Sequence, residues 1–191
     1  FLFLCCLFYK IYNISKDHDI FVMNVGLHVG EKDDHKKIYR LEWMNPILKQ
    51  LRRSNFTLLA HRETTAQHFD GAGGSWWIAN ANKTIVSDIR DVGGCTKIQN
   101  GDPEAGWREP IVRSAAKKSG YNVIIADESI QMYPDSIDEL VILPFYNFTA
   151  PHHDLHPHEC THYCSTPHLW MPIWRSLRLA LDRKFGLRRK L

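Results

Sequence analysis

Asp19-Ile20-Phe21-Val22-Met23-Asn24-Val25-Gly26 is a short apolar run that opens on an aspartate and closes on Asn-x-Gly. A strand solvated on one face alternates apolar and polar residues. A strand buried on both faces does not. Ile20–Val25 therefore predicts a buried parallel strand ending in a turn. Phe56–Ala60, Val123–Ala126 and Val141–Phe145 are further strand candidates.

Helical patterns separate these runs. Leu41, Met44, Ile47, Leu48 and Leu51 recur at three and four, with Pro46 expected to kink or divide the helix. Asp102-Pro103 reads as an N-cap with proline at the first helical position, opening a helix to Gly120. Trp170, Trp174, Leu177, Leu181 and Phe185 form one stripe of a last helix. Gly71–Gly74 opens a loop flanked by Trp76 and Trp77. Strands alternating with helices predict an α/β layered sheet. In such sheets ligands bind at the carboxyl ends of strands. Asn24 and Gly26 follow the first strand, Arg62 and His68 the second, and His162 the last.

The chain has 191 residues, 44% hydrophobic and 24% charged, as in an ordinary globular domain. A net charge of +3 makes no case for nucleic acid. The basic excess gathers at Arg183, Lys184, Arg188, Arg189 and Lys190, and reads as a solvated face. Four N-glycosylation sequons begin at Asn13, Asn55, Asn82 and Asn147, where roughly one is expected by chance. They point to the secretory pathway. There Cys95, Cys160 and Cys164 are candidates for a disulfide that leaves one thiol over. Phe1–Tyr9 is apolar but shorter than the about 20 residues that span a bilayer. Residues 1–16 are expected to be the end of a membrane anchor or a truncated element, 17–185 the domain, and 186–191 a basic tail.

Glu159-Cys160-Thr161-His162-Tyr163-Cys164 places a carboxylate three residues before a histidine, with two cysteines interleaved. Upstream lies Asp154-Leu155-His156-Pro157. This constellation resembles the Asp-Cys-x-His-Trp-Cys signature of the trichome-birefringence-like and PC-esterase family of the SGNH hydrolase superfamily. Three more blocks are similar and stand in the family's order: Asn24-Val25-Gly26, Arg62-Glu63-Thr64-Thr65-Ala66-Gln67-His68-Phe69 and Gly93-Gly94-Cys95. Together they cover residues 17–182.

The resemblance implies an SGNH-like three-layer sandwich with a mainly parallel sheet, incomplete at the N-terminus. It implies a glycan O-acetyltransferase or O-acetylesterase working through an acyl-serine, with a polysaccharide or glycan as partner. His162 is then base and acid, because imidazole titrates near neutrality. Glu159 orients it, with Asp154 as the reserve acid. Asn24 and Gly26 would donate to the oxyanion, and His28, Arg62 and His68 fall on oxyanion or substrate positions. The triad needs no metal or other cofactor, only an acetyl donor if the protein is a transferase. The implied compartment is the Golgi lumen or the cell exterior, with membrane attachment through a missing N-terminal part.

The chain departs from the pattern in three places. Glu159 replaces the usual aspartate, His28 is displaced by one position, and no Gly-Asp-Ser occurs. The nucleophile is expected upstream of Phe1, since Ser75 in Gly73-Gly74-Ser75-Trp76 matches the family's Gly-Gly-Asp-Trp region instead. Zinc is the alternative use of His152, His153, His156, His158 and His162, but their spacings match no standard structural zinc module. The second functional class is a non-catalytic glycan-binding or scaffold protein of the same fold.

Overall fold

A computed structural model describes residues 20–24, 33–54, 56–69, 95–98, 106–127, 138–156, 160, 163 and 167–186. Four strands form its sheet: β1, Ile20–Met23; β2, Leu58–Arg62; β3, Asn122–Ile125; and β4, Glu139–Leu143. They lie in the order β1-β2-β4-β3, and every pairing is parallel. Met23 is opposite His61, His61 opposite Ile142, and Ile142 opposite Ile125. All four carboxyl ends therefore share one edge.

The strands occur where the apolar runs predict, with shifted ends. β2 runs on through His61 and Arg62. His61 stays in the ladder because its ring finds a buried carboxylate, Glu109. β4 starts at Glu139 and stops at Leu143, before Pro144, which has no N–H for a ladder bond.

Alternation divides the sheet between two cores. Leu59, Leu140 and Ile142 join Met44, Leu48, Leu51, Val112, Ala115 and Ala116. Leu58, Ala60, Val141 and Leu143 join Leu169, Ile173 and Ala180. Helices thus cover both faces. The steps β1→β2 and β2→β3 run in the same direction across the sheet, so right-handed crossovers place both connections on one face. The first connection holds α1, Asp33–Ile38, a π-helical segment, Tyr39–Met44, and α2, Asn45–Leu51. Pro46 explains the π segment. Having no N–H, it cannot bond Glu42 in α fashion, and the Asn45 N–H turns to the Arg40 carbonyl, five residues back.

The second connection carries α3, Arg108–Lys118. It starts later than Asp102-Pro103 suggests. Gly106 has φ +66°, a left-handed turn that no continuous helix can pass through, and the helix opens just beyond it. Pro110 is tolerated in the first turn, where N–H groups lack helical partners anyway.

After β4 come a single turn, α4, Tyr146–Thr149, and the long α5, Pro167–Phe185, on the opposite face. The expected stripe of α5 is rotated. Trp174 is 66% and Phe185 50% exposed, while Leu169, Ile173, Ser176 and Ala180 are buried. Small residues let the helix approach the sheet closely, so the bulkiest side chains flank the contact. Nor is Arg183 part of a solvated tail. It is buried in a two-pronged pair with Glu139 at 2.6 and 2.7 Å, which ties α5 to the start of β4.

Candidate functional site

The helices that follow β2 and β4, α3 and α5, lie on opposite faces of the sheet. The carboxyl edge at such a change of face is the usual ligand position in an open α/β sheet. Arg62, Glu63, Phe145 and Tyr146 lie at this edge, and the Glu63 N–H extends the ladder to the Leu143 carbonyl at 3.1 Å.

The segment 62–69 is pinned here by hydrogen bonds from three directions. From β1, the Asn24 amide donates to the Arg62 carbonyl at 2.9 Å and to the Thr64 hydroxyl at 3.3 Å. Both protons of the side-chain amide are thereby used. Donation to an oxyanion would require one of these bonds to open.

From α3, Glu109 reaches under the segment. One carboxylate oxygen accepts the Thr64 N–H at 2.8 Å and the other lies 3.2 Å from His61 Nε2. His61 is fully buried, and its Nδ1 has no partner among the described residues. Glu63, also buried, accepts the backbone N–H groups of Phe145 and Tyr146 at 3.0 and 3.1 Å, and the Arg113 guanidinium at 2.7 Å. This carboxylate joins the end of β2 to the start of α4.

From beyond β4, the Thr149 hydroxyl accepts the Ala66 N–H at 3.0 Å, and Tyr163 donates towards the Ala66 carbonyl at 2.9 Å. The Cys160 carbonyl accepts the His68 N–H at 2.9 Å, and the Thr96 N–H bonds the His68 carbonyl at 2.7 Å. Cys160 and Cys95 are joined in a disulfide with Cα atoms 5.3 Å apart. The covalent bond thus closes around the residues that sandwich His68.

The His68 ring is buried, with Nε2 2.8 Å from the Ala150 carbonyl, so that nitrogen carries the proton. Nδ1 must then accept. It faces His156 Nε2 at 2.8 Å and the Tyr163 hydroxyl at 3.2 Å. Burial lowers the His68 pKa to about 4. The Ala150 carbonyl works against that, while His156, His153 and His152 add to it. Burial likewise pushes the Tyr163 phenol up. His68 is therefore a neutral brace in this conformation.

Of the residues singled out from sequence, Asn24 and Arg62 meet directly, and His68 meets the segment that leads from β4 to α5. Asp154 is exposed on that segment. Gly26, His28, Glu159, His162 and Cys164 lie outside the described residues, as do Asn13, Asn55 and Asn82. The fourth glycosylation candidate, Asn147, is exposed on α4. Among the described residues no three His, Cys, Asp or Glu side chains are arranged to hold a metal ion, and no helix is long and apolar enough to cross a membrane.

His61, Glu63, Glu109 and Tyr163 were not anticipated. His61 carried a readable signal, since a histidine directly continuing the apolar run Leu58-Leu59-Ala60 needs a buried partner. That the partner would be Glu109, 48 residues away, was not readable. Comparison with known protein families, with curated proteins and with solved structures finds no match in any of the three.

Proposed function

We propose that this chain is the C-terminal part of an SGNH-like domain that transfers or hydrolyses O-acetyl groups on glycans. The supporting observation is convergence. The blocks at Asn24, at Arg62–His68 and at Cys160–Tyr163 stand far apart in sequence, yet hydrogen bonds draw them together at the carboxyl edge of one parallel sheet. In this reading His162, between Cys160 and Tyr163, is the base, Glu159 its orienter, and Asp154 the reserve acid. The serine comes from outside these 191 residues, which contain no Gly-Asp-Ser.

A specific observation favours the second reading, a glycan-binding or scaffold protein. The Asn24 amide and the His68 ring are both engaged in bracing.

Mass spectrometry after incubation with an activated acetyl ester separates the two. The 191-residue chain alone should form no acetyl-enzyme. A protein that includes an upstream Gly-Asp-Ser should acquire one acetyl group on that serine, and His162→Ala should abolish it. A stable adduct on Ser75 would overturn the division of labour. An unimpaired His162→Ala protein would remove the mechanism.

A further inference from the structure

β1 is covered on one face only. Phe21 and Met23 pack into the core shared with α2 and α3, and Phe21 stacks on Phe56 at 5.0 Å. Ile20 and Val22 point to the other face, beside Leu58 and Ala60 of β2, and stay 47% and 43% exposed. α5 serves that face, but it lies over β4 and β2. Arg183 reaches from α5 to Glu139 at the start of β4, which shows how the helix is turned. Trp174 precedes Arg183 by about two and a half turns, at 3.6 residues per turn, and so stands on the opposite flank, towards β1. Phe185 shares that flank. Trp174 is 66% and Phe185 50% exposed. Ile20 and Val22 thus form the floor, and Trp174 and Phe185 the wall, of an open apolar ledge at the sheet edge.

All-parallel sheets have both faces covered, and a grouped set of exposed large apolar side chains marks a contact surface. We propose that residues 1–9 dock on this ledge, so that the apolar N-terminal segment completes the core on the α5 face of the sheet instead of entering a lipid bilayer. Residues 1–9 lie outside the described residues, and their sequence and tether single them out as the occupant. Phe1-Leu2-Phe3-Leu4-Cys5-Cys6-Leu7-Phe8-Tyr9 carries no charged side chain. It is also well short of the about 20 residues that cross a bilayer. Residues 10–19 join it to β1, and Lys10, Lys16, Asp17 and Asp19 suit that connection to a path through water. Such a connection spans up to about 33 Å when extended, and the four residues of β1 rise about 13 Å, so the segment can turn back along the whole ledge. The tether also holds it at a high effective concentration, which favours it over any free partner. The docking does not depend on the glycan reading above.

Cysteine crosslinking in the full 191-residue chain tests this, because Cys5 and Cys6 stand in the middle of the segment. Trp174→Cys and Phe185→Cys each place a thiol on the ledge. Ser114→Cys places one on the exposed side of α3, on the opposite face of the sheet. Under mild oxidation, peptide mapping should find Cys5 or Cys6 joined within one chain to positions 174 and 185, about tenfold or more faster than to position 114. Equal rates at position 114 would mean that the segment does not dock here. Bonds formed between two chains would give the ledge to a second copy. Protection of Cys5 and Cys6 from alkylation only when phosphatidylcholine vesicles are added would give the segment to a lipid surface. Each of these results overturns the proposal. If Trp174→Cys fails to fold, Phe185→Cys and the wild-type protein still decide it. In the wild type, Cys5 and Cys6 should resist alkylation without vesicles and react once denaturant is added.

Discussion

The two ends of the sheet are held by different forces. At the amino end, charged groups clamp the elements. Arg52 donates to the Ser119 carbonyl at the close of α3 and to Asp138 just before β4, and Arg183 grips Glu139. At the carboxyl end, a disulfide, a neutral histidine, a phenol and buried carboxylates that accept backbone N–H groups do most of the holding, with Arg113 paired to one of them. The Arg52–Asp138 pair is partly exposed, so its strength varies with salt, whereas Arg183–Glu139 is buried. The bonds around His68 and Cys160 at the carboxyl end lie out of solvent. The two ends should therefore respond to different perturbations.

Opening the Cys95–Cys160 bridge should have the largest effect. It crosslinks residues 65 apart, and the chain-entropy relation gives about 4 kcal/mol of stability for a loop of that size. Thermal unfolding of a Cys95→Ser, Cys160→Ser protein measures the loss. Hydrogen exchange then localises it. The His68 and Thr96 amides should lose protection first, while the Asn122 amide, bonded to Asp138 at the amino end, should hold longer. Equal loss at both ends would mean that the sheet opens as one unit and the contrast is only geometric.

Acid comes next. The folded chain keeps His68 neutral down to about pH 4, against an ordinary value of 6.5. Between these values the unfolded chain binds more protons, so this contribution is complete above about pH 6.5 and is lost as pH falls towards 4. The linkage amounts to about 3 kcal/mol. His68→Gln, whose amide can still donate to the Ala150 carbonyl, should flatten the pH dependence of denaturant midpoints in that window. An unchanged slope would assign the acid response to other histidines.

Much of the sheet was legible because burial on both faces leaves a direct mark, as in Leu140–Leu143; Ile20–Met23 is also a strand, but it lies at the sheet edge with Ile20 and Val22 exposed and is not the buried strand expected. Strand ends were less so, since His61 and Arg62 look like loop residues until their surroundings are known. The face of α5 was misread for a related reason. Packing against a sheet rewards small residues such as Ser176 and Ala180, whereas a stripe of large apolar residues draws the eye to Trp174. At the carboxyl edge, residue types could be read but not their duties. Asn24 and His68 stood out as chemistry-bearing, yet the hydrogen-bond partners of their side chains come from 38 to 95 residues away. No local pattern encodes such pairings. Glu109 shows the same limit, being an ordinary first-turn acid of a helix until Thr64 and His61 are brought to it.

The smallest effect expected is at the amino end, at Gly120. Its φ of +84° suits glycine, and a Cβ there would run into the Arg52 guanidinium. The backbone part of Gly120→Ala costs about 1 kcal/mol. The steric part is bounded by what Arg52 contributes, because a flexible side chain can swing away. Arg52 and Asp138 are each about two-fifths exposed, at 39% and 42%, so their pair adds at most about 1 kcal/mol and is screened by salt. Gly120→Ala should therefore lose about 1–2 kcal/mol at low salt and somewhat less at high salt. In an Arg52→Ala background the same substitution should cost only the backbone part, giving a coupling of about 0.5–1 kcal/mol in a double-mutant cycle. Strict additivity would show that Arg52 yields to the new methyl group without losing its bonds. The charged clamp would then be looser than its geometry implies, and the contrast between the two ends would rest on the carboxyl end alone.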